Sequence, residues 1–254
     1  HSKLEDRRID LVIVDNPTIN AFAVPGGVIG IHNGLLLWAE SEDELATVLA
    51  HEIAHLSQRH FSRGVEYQKK MQPLTLAAML ASFVLMATAG GDTGMAALSA
   101  TQAAAQDSAL RYSRTNEQEA DRIGMQTIVD AEMDPHAAPA MFERMLQATR
   151  YATNSEQMPE FLRSHPLSES RIADTRNRAR KYPKKIREPA LDYQLMQARV
   201  VIQLADTPEQ AVARFRGELE ATPRSREAAI YGLVLALTKA GRADEASLEL
   251  DTIW

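Results

Sequence analysis

The 254-residue chain has no cysteine. Disulfides and thiolate metal sites are therefore excluded, and any metal must be held by histidine and carboxylate. A lack of thiols fits an oxidising compartment. Positive charge is in short supply too. Lys and Arg number 28 against 34 Asp and Glu, a formal net charge of −6. That argues against nucleic acid as a partner, because phosphate binding needs a basic face. The basic stretch RIADTRNRARKYPKKIR (171–187) reads as a solvated helix face. Long apolar runs are missing as well. LTLAAMLASFVLMATA (74–89) carries no charge, with Pro73 before it and Gly90-Gly91 after it. It falls short of the roughly twenty residues of a spanning helix, so it predicts a buried or interfacial helix with possible membrane-surface contact. The start at HSKLEDRRID and the end at Trp254, inside a helical pattern, read as the ends of a fragment.

What is present is mostly helical pattern. IDLVIVD (9–15) alternates and is β-branched, which predicts a strand. NAFAVPGGVIGIHNGLL (20–36) predicts two more short strands around Pro25-Gly26-Gly27. Ser41 with Glu44 three residues later is a capping box. It opens a helix through Leu45, Val48, Leu49, Ile53 and Leu56. A second helix is expected from Pro73. The Gly- and Ala-rich segment after it reads as helix, mobile loop or both. A further helix covers 114–131, with Ile123 and Ile128 as core positions. Asp134-Pro135 caps another over about 135–149. Residues 150–167 read as loop, and a helix follows from Ser168.

The first of these helices carries VLAHEIAHLSQRH (48–60). His51 and His55 are four apart, so they share one helix face and can aim a ring nitrogen at one point. Glu52 points to the side, within reach of a water at that point. H-E-x-x-H thus encodes two zinc ligands and a general base. The extended H-E-x-x-H-x-x-G-x-x-H form is absent, because Gly64 and His60 are out of register. A third ligand must come from another helix. NEQEAD offers Glu117, Glu119 and Asp121. Glu117 and Asp121 share a face, with Glu119 roughly opposite. We assign Glu117 to one Zn2+ and Asp121 to a hydrogen bond with the other nitrogen of a ligand histidine. Small Ala120 eases close packing. His165, in a loop locked by Pro166, is a candidate oxyanion stabiliser or fourth ligand. His32, His60 and His136 read as structural or surface residues.

Residues 183–190 mark a boundary, dividing the chain into 1–183 and 190–254. Beyond it Ala211 and Phe215 recur as Ala246 and Leu250, 35 residues on, with Pro223 and Gly241 between the helices. That spacing approaches the 34-residue tetratricopeptide unit of two helices. Two units are few, so they either pack on the first domain or belong to a longer array.

NAFAVPGG, HEIAH, NEQEAD and SHPLSESRI, in that order, resemble the HtpX and CAAX prenyl endopeptidase type of zinc metallopeptidase, a gluzincin. The resemblance covers roughly the whole chain, and its repeat-bearing, periplasmic branch fits best. It implies a mainly helical α+β fold: a zincin-like metalloprotease domain with a short β-sheet, then an α-helical tetratricopeptide-like repeat domain. It also implies His51, His55 and Glu117 as zinc ligands, Glu52 as base and His165 near the metal. The strand around Val28 to His32 would align an extended substrate, with 74–110 as a lid. Implied substrates are misfolded or stalled outer-membrane proteins in the periplasm of a Gram-negative cell. The repeats would recruit the barrel assembly machinery, with a chaperone-like role. Two alternatives stand beside this: a latched chaperone or adaptor, and a general metalloprotease unrelated to barrel assembly.

Overall fold

The computed structural model describes residues 8–150, 159–185, 190–221 and 223–251. Both chain ends, residues 151–158 of the expected 150–167 loop and part of the expected boundary lie outside the described residues.

The three expected strands form one small sheet. They are β1 (Asp10–Val14), β2 (Ala21–Val24) and β3 (Val28–His32), in the order β1-β3-β2. β3 is the central strand, parallel to β1 and antiparallel to β2. Gly26 and Gly27 make the β2–β3 turn at φ of 105° and 85°, values that side chains disfavour. Ile29 and Ile31 of β3 are buried under α1 (Asn33–Trp38) and α2 (Glu42–Ser57). Leu35, Leu36, Val48, Met141, Met145 and Phe161 complete that core. The α2 cap forms as the sequence implies, with one change. Ser41 Oγ accepts from Glu44 N–H at 3.2 Å, but the Glu44 carboxylate accepts from Glu40 N–H, at 2.6 Å.

The middle of the chain differs from its sequence pattern. α3 (His60–Ala89) begins thirteen residues before Pro73 and carries that proline inside it. α4 (Gly91–Asp130) absorbs both the Gly- and Ala-rich segment and the expected 114–131 helix in one 40-residue rod. Proline and glycine weaken an isolated helix, but packing overrides propensity. Here the two helices run antiparallel along each other. Tyr67 stacks on Tyr112 with ring centroids 4.3 Å apart, Tyr67 hydrogen-bonds Ser108, and Gly94 lies against Met86. Of the two alternatives expected for 74–89, buried or interfacial, burial is not found. Leu74, Leu76, Leu80, Phe83 and Val84 are exposed. By length and composition α3 is apolar enough to cross a membrane. Its uncharged stretch is longer than 74–89, running from Met71 to Gly91.

α5 (Ala137–Arg150) starts two residues after Pro135, with Asp134 accepting from His136 N–H at 3.0 Å. α6 (Phe161–Ser164) is a short turn of helix, and α7 (Glu169–Ala179) is capped by Ser168. Four more helices follow: α8 (Leu191–Leu204), α9 (Pro208–Glu220), α10 (Arg226–Lys239) and α11 (Ala243–Leu250). α10 packs against the other three. Ala211 and Phe215 are buried, and the Phe215 ring lies on Gly232. Their counterparts 35 residues on differ: Ala246 is buried but Leu250 is 45% exposed. α8 docks on α1. Tyr193 Oη and Gln197 Nε2 both donate to the carbonyls of Leu36 and Ala39, at 2.8–3.3 Å.

Candidate metal centre

Three elements converge beneath the sheet. α2 supplies His51, Glu52 and His55, α4 supplies Glu117 and Asp121, and the residue ending α6 is His165. Close approach of α4 to α2 depends on small residues, as expected for Ala120, which is fully buried against Ala54. Gly124 goes further: a Cβ there would stand 3.2 Å from the Ala50 and His51 backbone.

All six residues singled out in the sequence meet here. His51 Nε2 is 3.0 Å from His55 Nε2 and 3.3 Å from His165 Nδ1. The Glu117 carboxylate lies 3.1 Å from His165 Nδ1, 3.3 Å from His51 Nε2 and 3.4 Å from His55 Nε2. Four donor atoms, one each from His51, His55, Glu117 and His165, lie within 4.8 Å of one another, so the group is able to hold a metal ion. The donor set suits zinc. Nitrogen and oxygen ligands 2.0–2.1 Å from a tetrahedral zinc stand about 3.3 Å apart, close to the separations seen here. Glu52 stands beside the group, its Oε1 3.4 Å from His165 Nε2 and without a hydrogen-bond partner.

Asp121 Oδ1 lies 3.0 Å from His51 Nδ1. The rest of the support was not foreseen. Arg171, from the stretch read as a solvated face, is 4% exposed. Its Nε and Nη2 donate to the two Asp121 oxygens, both at 2.7 Å, and its Nη1 reaches the Pro166 carbonyl and Glu117. Arg176 and Arg178 of the same stretch do face outward, paired with Glu143 and Asp174. A signal existed: Arg171 shares the helical face of Ile172, Thr175 and Ala179, all buried. His60 was passed over as well. It is buried, with Nδ1 2.9 Å from His55 Nδ1 and Nε2 3.1 Å from Glu119. Glu119 does lie on the opposite side of α4 from Glu117, held by Arg63 at 2.9 Å. His32 and His136 are structural, bonded to Thr18 and to the Tyr182 carbonyl.

The charges follow from this packing. Burial raises the Glu52 pKa, which suits a proton acceptor. Burial alone would lower the His51 pKa, but Asp121 and Glu117 outweigh it and raise it to about 10. Burial and the neighbouring His51 push His55 down to about 2. Burial would raise Glu117, yet His165 and His51 hold it well below the usual carboxylate range. A cation at this point competes with the His51 proton, because ligand imidazoles must be neutral.

The group opens into a cleft of about 900 Å³, lined by Phe22, Ala23, Glu52, His55, Glu117 and His165 among others. The strand on this cleft is β2. The expected strand, β3, is paired on both sides and has no free edge.

A small sheet, an H-E-x-x-H helix and a glutamate and histidine from elsewhere make the donor arrangement expected of zinc metallopeptidases. The chain belongs to peptidase family M48, which residues 1–179 match. It is 43% identical over 214 residues to the putative beta-barrel assembly-enhancing protease of Vibrio cholerae, covering 83% of this chain and 43% of that one. It is 38% identical over 242 residues to the beta-barrel assembly-enhancing protease of Escherichia coli K12, covering 95% and 49%. It is 31% identical to the mitochondrial metalloendopeptidase OMA1 of Schizosaccharomyces pombe, covering 67% and 47%. The chain spans about half the length of these curated relatives.

Proposed function

We propose that this protein is a zinc endopeptidase that cleaves misfolded or stalled outer-membrane proteins in the periplasm. The observation that carries the reading is the meeting of Glu52 and the His51, His55, Glu117, His165 group at the floor of a cleft bordered by a strand edge. His51, His55 and Glu117 are the ligands, and bound zinc supplies a Lewis acid that polarises a carbonyl and acidifies water. Glu52 Oε1 accepts the proton of the attacking water and returns it to the leaving amine. β2 holds the substrate by strand addition. Support comes from its place at the sheet edge and from the Ala23 backbone, which hydrogen-bonds Glu52. Asp121 and Arg171 orient His51.

The substrate class and compartment rest on the relatives named as barrel assembly-enhancing proteases. Residues 190–254 then form tetratricopeptide-like repeats docked on a metallopeptidase domain at 1–183, and recruit the assembly machinery with a chaperone-like role. The α3–α4 hairpin contacts the membrane surface. Its distal part, between Lys70 and Asp107, holds one charge, Asp92, and Lys69, Lys70, Arg111 and Arg114 collar its base.

The test is digestion of an unfolded protein such as casein with zinc present. Glu52→Gln should lower the rate at least about 100-fold. Equal cleavage by this variant and the wild type would remove Glu52 from the chemistry. A latched state is the second reading, favoured by His165 Nδ1 standing within the ligand group. As a fourth ligand it would fill the position water needs. His165→Ala should then raise proteolysis; unchanged or lower activity would count against the latch.

A further inference from the structure

The two ligand histidines of α2 are backed differently. His51 Nδ1 meets a carboxylate held by an arginine, Asp121 and Arg171. His55 Nδ1 meets another imidazole, His60, which is backed in turn by Glu119 and Arg63. We propose that His60 is a positioning residue that fixes His55 in the tautomer whose Nε2 is free to bind the metal. This rests on the reading of His55 as a zinc ligand.

The backbone puts His60 there on purpose of geometry, not helical continuity. Five residues along an unbroken helix would turn His60 about 140° away from His55. The chain instead breaks after Ser57, and Arg59 adopts the left-handed conformation at φ 53° and ψ 39°. That turn starts α3 at His60 and folds its ring back onto His55, with centroids 4.7 Å apart at 79°.

The hydrogen-bond chain has one consistent direction. His55 Nε2 faces His51 Nε2 and Glu117. To ligate, it must carry a lone pair there, so a neutral His55 keeps its proton on Nδ1. That proton needs an acceptor 2.9 Å away, which is His60 Nδ1. His60 must then carry its own proton on Nε2, where Glu119 accepts it at 3.1 Å. Arg63 donates to the same Glu119 oxygen at 2.9 Å. His60 is buried, so bulk water does not replace this partner. Loss of such outer partners weakens metal binding by about 10- to 100-fold.

The experiment uses the full chain, stripped of metal, and measures zinc affinity by competition with a chromogenic chelator. Long-range ¹H–¹⁵N spectra of the zinc-loaded protein report the histidine tautomers. His60→Phe keeps a ring but loses the acceptor, and should weaken zinc by about 10- to 100-fold. His60→Asn places Oδ1 where Nδ1 was, and should return affinity to within about threefold of wild type by the same hydrogen bond. Wild-type affinity in His60→Phe, or a folded His60→Asn that fails to recover it, overturns the proposal. Should His60→Phe fail to fold, the wild-type spectrum decides: His55 without a proton on Nδ1 also overturns it. His55→Ala separates the two readings. If it binds zinc as tightly as wild type, His55 is no ligand and both fall. If it loses zinc while His60→Phe does not, only the role of His60 falls.

Discussion

At the scale of single residues, the metal centre is a balance of buried charges. Burial would raise the Asp121 pKa, but Arg171 and His51 hold it below its ordinary value. A carboxylate held low contributes stability that is fully present above its unfolded pKa of about 3.9 and is lost as pH falls through the folded value. Asp121→Asn leaves Arg171 without its charged partner and should cost about 3 kcal/mol at neutral pH. Measured by denaturant unfolding of the metal-free protein, the gap between wild type and variant should shrink below about pH 4. A gap that stays constant from about pH 5 to about pH 2.5 would mean that the carboxyl is not held low. This residue was legible in the sequence, because Asp121 follows Glu117 by one helical turn. Arg171 and His60 were harder to find. Arg171 sits among six other arginines and lysines between 171 and 185, and only the helical face it shares with Ile172, Thr175 and Ala179 marks it as the buried one. His60 reaches His55 only through the left-handed Arg59, a turn that helical periodicity does not foresee.

At the scale of elements, the hairpin of α3 and α4 is where local signals failed. Pro73 and the Gly90-Gly91 pair read as boundaries, but only Gly90 ends a helix. Two rods in mutual contact offset a proline and several glycines that neither would tolerate alone. Apolar side chains on the outer face then remain uncovered among the described residues. The full chain should co-float with vesicles containing an anionic phospholipid. A double substitution, Leu80→Asp with Phe83→Asp, should weaken that association at least about tenfold, given the loss of two buried apolar side chains. Flotation that survives the double substitution would move the membrane contact away from the hairpin. Strands and α2 were read correctly because their signals are short-range: alternation, a Gly-Gly turn and an N-cap. The sheet order was not, and it leaves β2 rather than β3 as the strand edge on the cleft.

At the scale of the whole molecule, the site joins segments that are distant in sequence. α2, α4 and the end of α6 each give donor atoms to the group, and Arg171 of α7 ties the last to α4. Zinc binding the folded chain alone should therefore stabilise it. Excess zinc at about 100 times Kd is worth about 2.7 kcal/mol. For a chain of this size that is a rise of about 5–10 °C in Tm, reversed by a chelator. A Tm indifferent to zinc would argue that the group does not bind it in the folded state. The four C-terminal helices are tied in as well: Tyr193 and Gln197 of α8 cover carbonyls that α1 leaves open at its end.

The β2 edge is only four residues long, and side chains alternate across it. On the proposed reading such a ledge would grip about two peptide units and read almost no lettering. What it would test is whether a stretch of main chain still has its own donors and acceptors to spare. A finished barrel has none, since every strand is already wed to its neighbours. The short edge would thus serve as a gauge of completion, passing closed barrels and seizing those left ajar.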